Sequence, residues 1–238
     1  FKNAEFEKSR SYTEVQQQVS FVDMDEYNST GMRLLPTGEM QFFRVTDGSS
    51  LGASQLPVPA GVSIVSVQRG AVLGGLVGVG LSNGQIIVFS PNYGVEYGEN
   101  HARTINPGLR FPYGNTPLTL DESGQGVRDF ALRGSDGALG VLGINKGRLV
   151  WSEFAEKKAA DAEGGMALGG LSSGGDEDGG PKTYERASET VIDFPATHIH
   201  GMVIGQDARW GYVLSGAGNL AVVKLKADDG STIYKQLS

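Results

Sequence analysis

Three histidines are the side chains best suited to hold a metal in this 238-residue chain, which contains no cysteine. His198 and His200 are two positions apart, which on a strand sends both side chains to one face. With His101 they would make a three-histidine set of the kind that binds zinc and leaves one position open. The same pattern is ordinary for histidines at the start of a strand or on its solvated face, and that reading is preferred, so no metal site is expected. The lack of cysteine excludes disulfides, cysteine-ligated zinc and thiol catalysis. Gly170-Leu171-Ser172-Ser173-Gly174 matches the G-x-S-x-G of a nucleophile elbow. That motif needs a strand entering and a helix leaving, and a glycine tract supplies neither. Gly78-x-Gly80-x-x-x-Gly84 is a loose dinucleotide fingerprint, but the residues after it, QIIVFSP, read as a strand rather than the helix the motif requires. Asp23, Asp25, Glu26 and Asn28 cluster, as do Asp176, Glu177 and Asp178, without the glycine and terminal glutamate of a calcium loop. Both are read as solvated charges. Trp151 and Trp210 are expected to pack between sheets. No catalytic or cofactor-binding residue is nominated, and the chain is expected not to be an enzyme.

Whatever these residues do, the elements that position them must suit a glycine-rich chain. The 36 glycines disfavour helices and favour short strands joined by tight turns. Twenty basic against 27 acidic residues give a net charge of −7, unfavourable for nucleic acid or anionic lipid. The opening FKNAEFEKS has neither a basic n-region nor an apolar h-region, so no signal peptide is expected there, and a fragment or mature domain is.

The stretch GGLVGVGLSNGQIIVFSP, Gly74 to Pro91, contains no charge and carries G-x-x-x-G spacing. A spanning helix needs about 20 apolar residues in sequence. Here Ser82-Asn83-Gly84-Gln85 interrupts the run, and Asn-Gly is a strong hairpin signal. LVGVGL and QIIVFS are therefore expected as paired strands.

That hairpin recurs. Met32–Val45, Leu76–Phe89, Leu139–Phe154 and Gly211–Leu225 each read as strand, glycine turn, strand, with Gly38, Gly84, Gly147 and Gly218 in the turns. GVSIVSVQRG, VRDFALRGSDG and HIHGMVIGQDARWG precede the last three hairpins, and SFVDMDEYNSTG is a weaker form before the first. The repeat is the organisation of a β-propeller blade, a four-stranded antiparallel sheet of about 40 to 50 residues. The fold class expected is all-β and β-propeller-like, with at least four recognisable blades in one domain over 1–238. Four blades would form a small ring or part of a larger one, and a β-sandwich is the structural alternative.

The turn glycines lie 46, 63 and 71 residues apart, so two units carry extra chain. Residues 92–123 are expected as a long inter-blade connection whose Leu118–Leu120 returns as an outer strand. Residues 155–188, with a Gly-Gly pair every five residues from Gly164, are expected as a flexible insertion between blades, open to partner binding but read first as a tolerated loop.

Val58-Pro59-Ala60-Gly61-Val62, Val79 to Gln85 (VGLSNGQ) and Pro117 to Glu122 (PLTLDE) carry a further signal. Over Leu35 to Gly124 the chain resembles the soluble WD-repeat-like region of the enlarged permease subunits (PstC type) of bacterial phosphate ABC transporters. The Gly-Gly tract departs from that pattern. The resemblance implies a non-catalytic domain on the periplasmic side of the inner membrane, within an integral membrane protein whose helices lie outside these residues. Its partners would be the rest of the permease chain, the other transporter subunits and the periplasmic phosphate-binding protein, with no cofactor and no nucleic acid. Its role would be accessory to phosphate import, by docking a partner or regulating access. The alternatives are a free-standing propeller scaffold for protein–protein contacts and a propeller enzyme or sugar binder using acids and histidines around a central pocket.

Overall fold

The computed structural model describes residues 19–25, 29–70, 75–98, 103–135, 137–157, 182–194, 199–205, 209–216, 218–225 and 234–237, and every regular element among them is a strand. No helix among these residues is long and apolar enough to cross a membrane.

The strands form four sheets in chain order. The first holds β1 (Phe21–Met24), β2 (Thr30–Leu34), β3 (Glu39–Arg44) and β4 (Ser50–Gln55) as a sequential antiparallel meander. The second holds β5 (Ile64–Arg69), β6 (Val77–Leu81) and β7 (Gln85–Asn92). After β7 the chain makes a separate two-stranded arm, β8 (Val95–Tyr97) and β9 (Arg103–Ile105). It then returns as β10 (Gly108–Arg110) and β11 (Leu118–Thr119), which pair with opposite ends of β7. The third sheet holds β12 (Phe130–Ser135), β13 (Ala138–Asn145), β14 (Arg148–Glu156) and β15 (Tyr184–Val191). The fourth holds β16 (Ile199–Ile204), β17 (Trp210–Ser215), β18 (Leu220–Lys224) and β19 (Tyr234–Leu237).

Each hairpin read from the sequence is the middle pair of one sheet, and Gly38, Gly84, Gly147 and Gly218 all adopt positive φ in its turn. The segment before each hairpin is the sheet's first strand. Within residues 92–123, Leu118–Thr119 returns beside β7 as an outer strand, as expected, and β10 returns to the other end of β7 as well. One boundary differs from expectation. The insertion at 155–188 lies within the third sheet rather than between units, since β14 runs to Glu156 and β15 begins at Tyr184. Its Gly-Gly tract lies outside the described residues.

Three buried apolar clusters join the sheets in series. Met32, Leu34, Met40 and Phe42 of the first meet Val77, Val79, Leu81, Ile87 and Phe89 of the second. Ile86 and Val88, on the other face of β7, meet Phe130, Leu132, Leu139, Val141 and Phe154 of the third. Leu142, Leu149 and Trp151 meet Met202, Ile204, Val213, Ala221 and Val223 of the fourth. Each sheet thus has a backward face toward its predecessor and a forward face toward its successor, as strand alternation dictates. No buried cluster among the described residues joins the fourth sheet to the first. Strand glycines set the spacing: a Cβ on Gly78 would overlap Leu132 and Phe130, and one on Gly140 would overlap the Trp151 ring.

Candidate interaction surfaces

Buried acidic side chains hold turns of this fold, among them Asp25, whose cluster is expected from the sequence to be solvated. Asp121 is buried at the turn after β11. One of its carboxylate oxygens accepts the Ser123 N–H at 2.9 Å, the Ser123 hydroxyl at 2.7 Å and the Lys146 N–H at 3.0 Å. Burial raises the Asp121 carboxyl. Hydrogen bonds from Lys146 and Ser123, with Arg186 nearby, overcome this and hold it below the usual carboxylate range. The Lys146 bond ties a turn of the second sheet's chain to the β13–β14 turn of the third.

Around it, Asn145 accepts the Glu122 N–H at 2.9 Å and donates to Glu189 at 2.7 Å. Arg186 of β15 donates to Glu122 and Glu189 and to the carbonyls of Thr119 and Leu120, and lies over the Phe154 ring. Apart from the Arg186 Nε, which is buried without a hydrogen-bond partner, these donors and acceptors serve one another, so the cluster reads as a clamp between sheets.

A second acidic pair sits at the first sheet. Asp25, buried, accepts the Ser29 N–H and hydroxyl, both at 2.6 Å, and the Thr30 N–H at 3.2 Å, closing the loop before β2. Asp23 pairs with Arg69 of β5, whose guanidinium stands over Phe21. Tyr93 lies beside this pair, and its hydroxyl is pushed above the ordinary phenol range by burial first and by Asp23 next. Glu26, Asn28, Asp176, Glu177 and Asp178 lie outside the described residues, as does the Gly170–Gly174 motif.

Of the metal candidates, His101 and His198 lie outside the described residues. His200 is exposed on β16 at a register shift between Ile199 and Gly201. Burial raises the Asp129 carboxyl above the usual carboxylate range, against the opposing pull of His200 and Arg128. Among the described residues no group of three or more His, Asp or Glu side chains is arranged to hold an ion. Gly78, Gly80 and Gly84 are sheet and turn glycines followed by strand β7, so the dinucleotide spacing has no helix behind it.

Three exposed features remain. The pairing of the arm β8–β9 starts at Gly94 and Asn106, where the Asn106 N–H donates to the Gly94 carbonyl at 2.8 Å. Its Tyr97 is 71% exposed. The backward face of the first sheet carries a polar ladder, in which Arg33 donates to Gln41 at 2.7 Å and Gln41 to Glu39 at 2.8 Å. Beside it is a hollow of about 280 Å³ lined by these three with Phe43, Ser50 and Ala53. The forward face of the fourth sheet is apolar and open: Val203, Trp210, Tyr212, Leu214 and Leu220 are all exposed. Trp151 is buried between sheets as expected, whereas Trp210 is not. It projects from the uncovered face, because Gly211 and Val213 take the buried side of β17.

The arm was not legible as a site in the sequence. Its signal was the apolar–polar alternation of VEY and the β-branched Thr104 and Ile105 on the other side of a polar stretch, too short to stand out. Asp121 did have one: an aspartate two residues before a serine is an Asx-turn pattern.

No protein-family model matches the sequence, and no curated protein matches it. Solved structures do resemble the fold. The crystal structure of Chaetomium thermophilum Raptor aligns with TM-score 0.50 at 12% identity, over 93% of this chain and 17% of that one. A structure of U3-55K aligns with TM-score 0.46 at 11% identity, over 94% of this chain and 53% of that one. The chain therefore spans about half of the U3-55K chain and a smaller part of Raptor. The likeness to Raptor is one of fold alone. The class the fold defines is an all-β protein of serial antiparallel sheets.

Proposed function

We propose that this chain is a non-catalytic docking domain made of β-propeller-like, WD-repeat-like blades. Following the resemblance over Leu35 to Gly124, it serves on the periplasmic side of the enlarged permease subunit of a bacterial phosphate ABC transporter, accessory to import. The observation that carries the docking reading is the arm: two strands that pair with each other and with none of the four sheets, presenting a tyrosine 71% exposed. Tyrosine is enriched at binding hot spots because it gives large contact area and a polar tip at small entropic cost. Further support comes from the buried acids Asp25 and Asp121, whose hydrogen bonds hold turns and so serve structure. The fitting partner is another transporter component, the phosphate-binding protein or the second permease subunit.

The test is Tyr97→Ala in the full-length gene product. The expected result is unchanged folding with at least about tenfold weaker capture of a transporter component, the loss typical of one hot-spot residue. Undiminished capture and undiminished phosphate uptake would overturn the reading. Capture of a protein unrelated to phosphate transport, with the same loss on Tyr97→Ala, would replace the transporter assignment by the free-standing scaffold.

A further inference from the structure

The four sheets differ in what their outer strand positions carry, and the difference has a direction. In the second sheet both faces of β6 and β7 are apolar, and both are covered: Val77, Val79, Ile87 and Phe89 by the first sheet, Ile86 and Val88 by the third. In the third sheet both faces of β13 and β14 are apolar, and again both are covered. Strands apolar on both faces belong in the middle of a layered structure, since alternation with polar residues marks a face left to water.

The first sheet meets that description in part. Its forward face is apolar, while its backward face is mixed, with exposed Val22 and Met24 beside Arg33, Gln41 and Glu39, which are hydrogen-bonded across β2 and β3. The fourth sheet departs from it further. Its second and third strands have the two-sided apolar pattern of the middle sheets, yet among the described residues only the backward face is covered. Register brings the forward-face residues together: Val203, Tyr212 and Val222 stand abreast, Gly201, Leu214 and Leu220 form the next row, and Trp210 lies opposite Lys224. Five of the eleven large apolar side chains exposed among the described residues lie on this one face. A concentration of that kind on a sheet face marks a contact surface.

We propose that the forward face of the fourth sheet seats a fifth four-stranded antiparallel sheet of the same repeat, carried by the same polypeptide. The three existing junctions specify what it must bring. Each backward face offers aliphatic side chains at alternate positions of its second and third strands: Val77, Val79 and Ile87, then Leu139 and Val141, then Val213, Ala221 and Val223. A fifth sheet with that face continues the series in the same sense. The proposal rests on the blade reading above but not on the arm or the transporter assignment.

The 238 residues contain no cysteine, so a single one can report on the face. The test replaces Trp210 by cysteine in the purified full-length gene product, with any other cysteines changed to serine, and measures the rate of maleimide labelling. Lys146→Cys, at a side chain 63% exposed, is the open reference, and Val213→Cys the buried one. Leu214→Cys repeats the measurement, in case Trp210→Cys impairs folding. The expected result is labelling at least about tenfold slower than at position 146, unchanged on dilution of the protein, because a covering sheet must open before reagent enters. Labelling at the open-reference rate would overturn the proposal. Protection lost on dilution would also overturn it and assign the face to a second copy of the chain. Protection that requires an added partner protein would do the same in favour of that partner. None of these results depends on Tyr97, so failure here is distinct from failure of the docking reading.

Discussion

Asp121→Ala removes the acceptor that ties the turn after β11 to the β13–β14 turn. Three hydrogen bonds to one carboxylate oxygen are lost, two of them from backbone N–H groups. Bonds to charged groups contribute about 1.5–3 kcal/mol each when fully buried, but Ser123 and Lys146 are themselves exposed and can recover water. The expected loss is therefore toward the lower end, about 2–4 kcal/mol in all. Asp121→Asn keeps one side-chain oxygen for the two backbone donors and gives up the charge, so it should cost about 1 kcal/mol. The pH dependence separates the two contributions. Because the folded carboxyl lies below its ordinary value, the stability it contributes is present above the unfolded value of about 3.9 and is lost as pH falls through the folded value. The gap between wild type and Asp121→Asn should hold near pH 7 and close below about pH 4, while part of the Asp121→Ala deficit persists. Urea unfolding followed by the fluorescence of Trp151, buried in the same sheet, measures all three proteins. An Asp121→Ala midpoint shift worth less than about 0.5 kcal/mol would refute the clamp, as it is the size of an ordinary surface change. So would a wild-type to Asp121→Asn gap that is constant from pH 7 to pH 3.

Three further outcomes are expected. Gly80→Ala places a Cβ against the Val127 carbonyl oxygen and should cost about 1–3 kcal/mol in urea unfolding, whereas Gly201→Ala, whose Cβ meets nothing, should stay within about 0.5 kcal/mol. Asp25→Ala leaves the Ser29 and Thr30 N–H groups without their acceptor and should cost about 1–3 kcal/mol, with amide exchange rising first in β1 and β2. Tyr93, held neutral by burial and Asp23, should make the fold lose stability as pH rises above the ordinary phenol value of about 10, and Tyr93→Phe should reduce that loss in pH-dependent unfolding.

What was legible in the sequence follows from how locally each feature is determined. A glycine turn between two apolar runs is specified within about 14 residues, and Met32–Val45 or Leu139–Phe154 folds as that rule requires. β11 was legible in the Leu-Thr-Leu of residues 118–120, but β10 is three residues long, Gly-Leu-Arg, and no periodicity announces it. Strand glycines such as Gly78 and Gly140 count toward turns in a composition, but here they admit Phe130 and Trp151 from neighbouring strands and sheets. Asp25 departs from expectation for a related reason: it looks like surface charge in sequence, and what buries it is its own turn closing on backbone donors. The exposed Trp210 shows the converse: burial of one face of β17 could be read from its pattern, but whether the other face is covered depends on what packs there.

The central claim, docking through the arm, is tested most directly by a photo-crosslinking amino acid at position 97 of the full-length protein in its own cells. The account predicts one dominant adduct, to a component of a phosphate transporter, absent when the crosslinker is moved to the exposed position 146. No adduct at 97, or the same mixture at both positions, would contradict it.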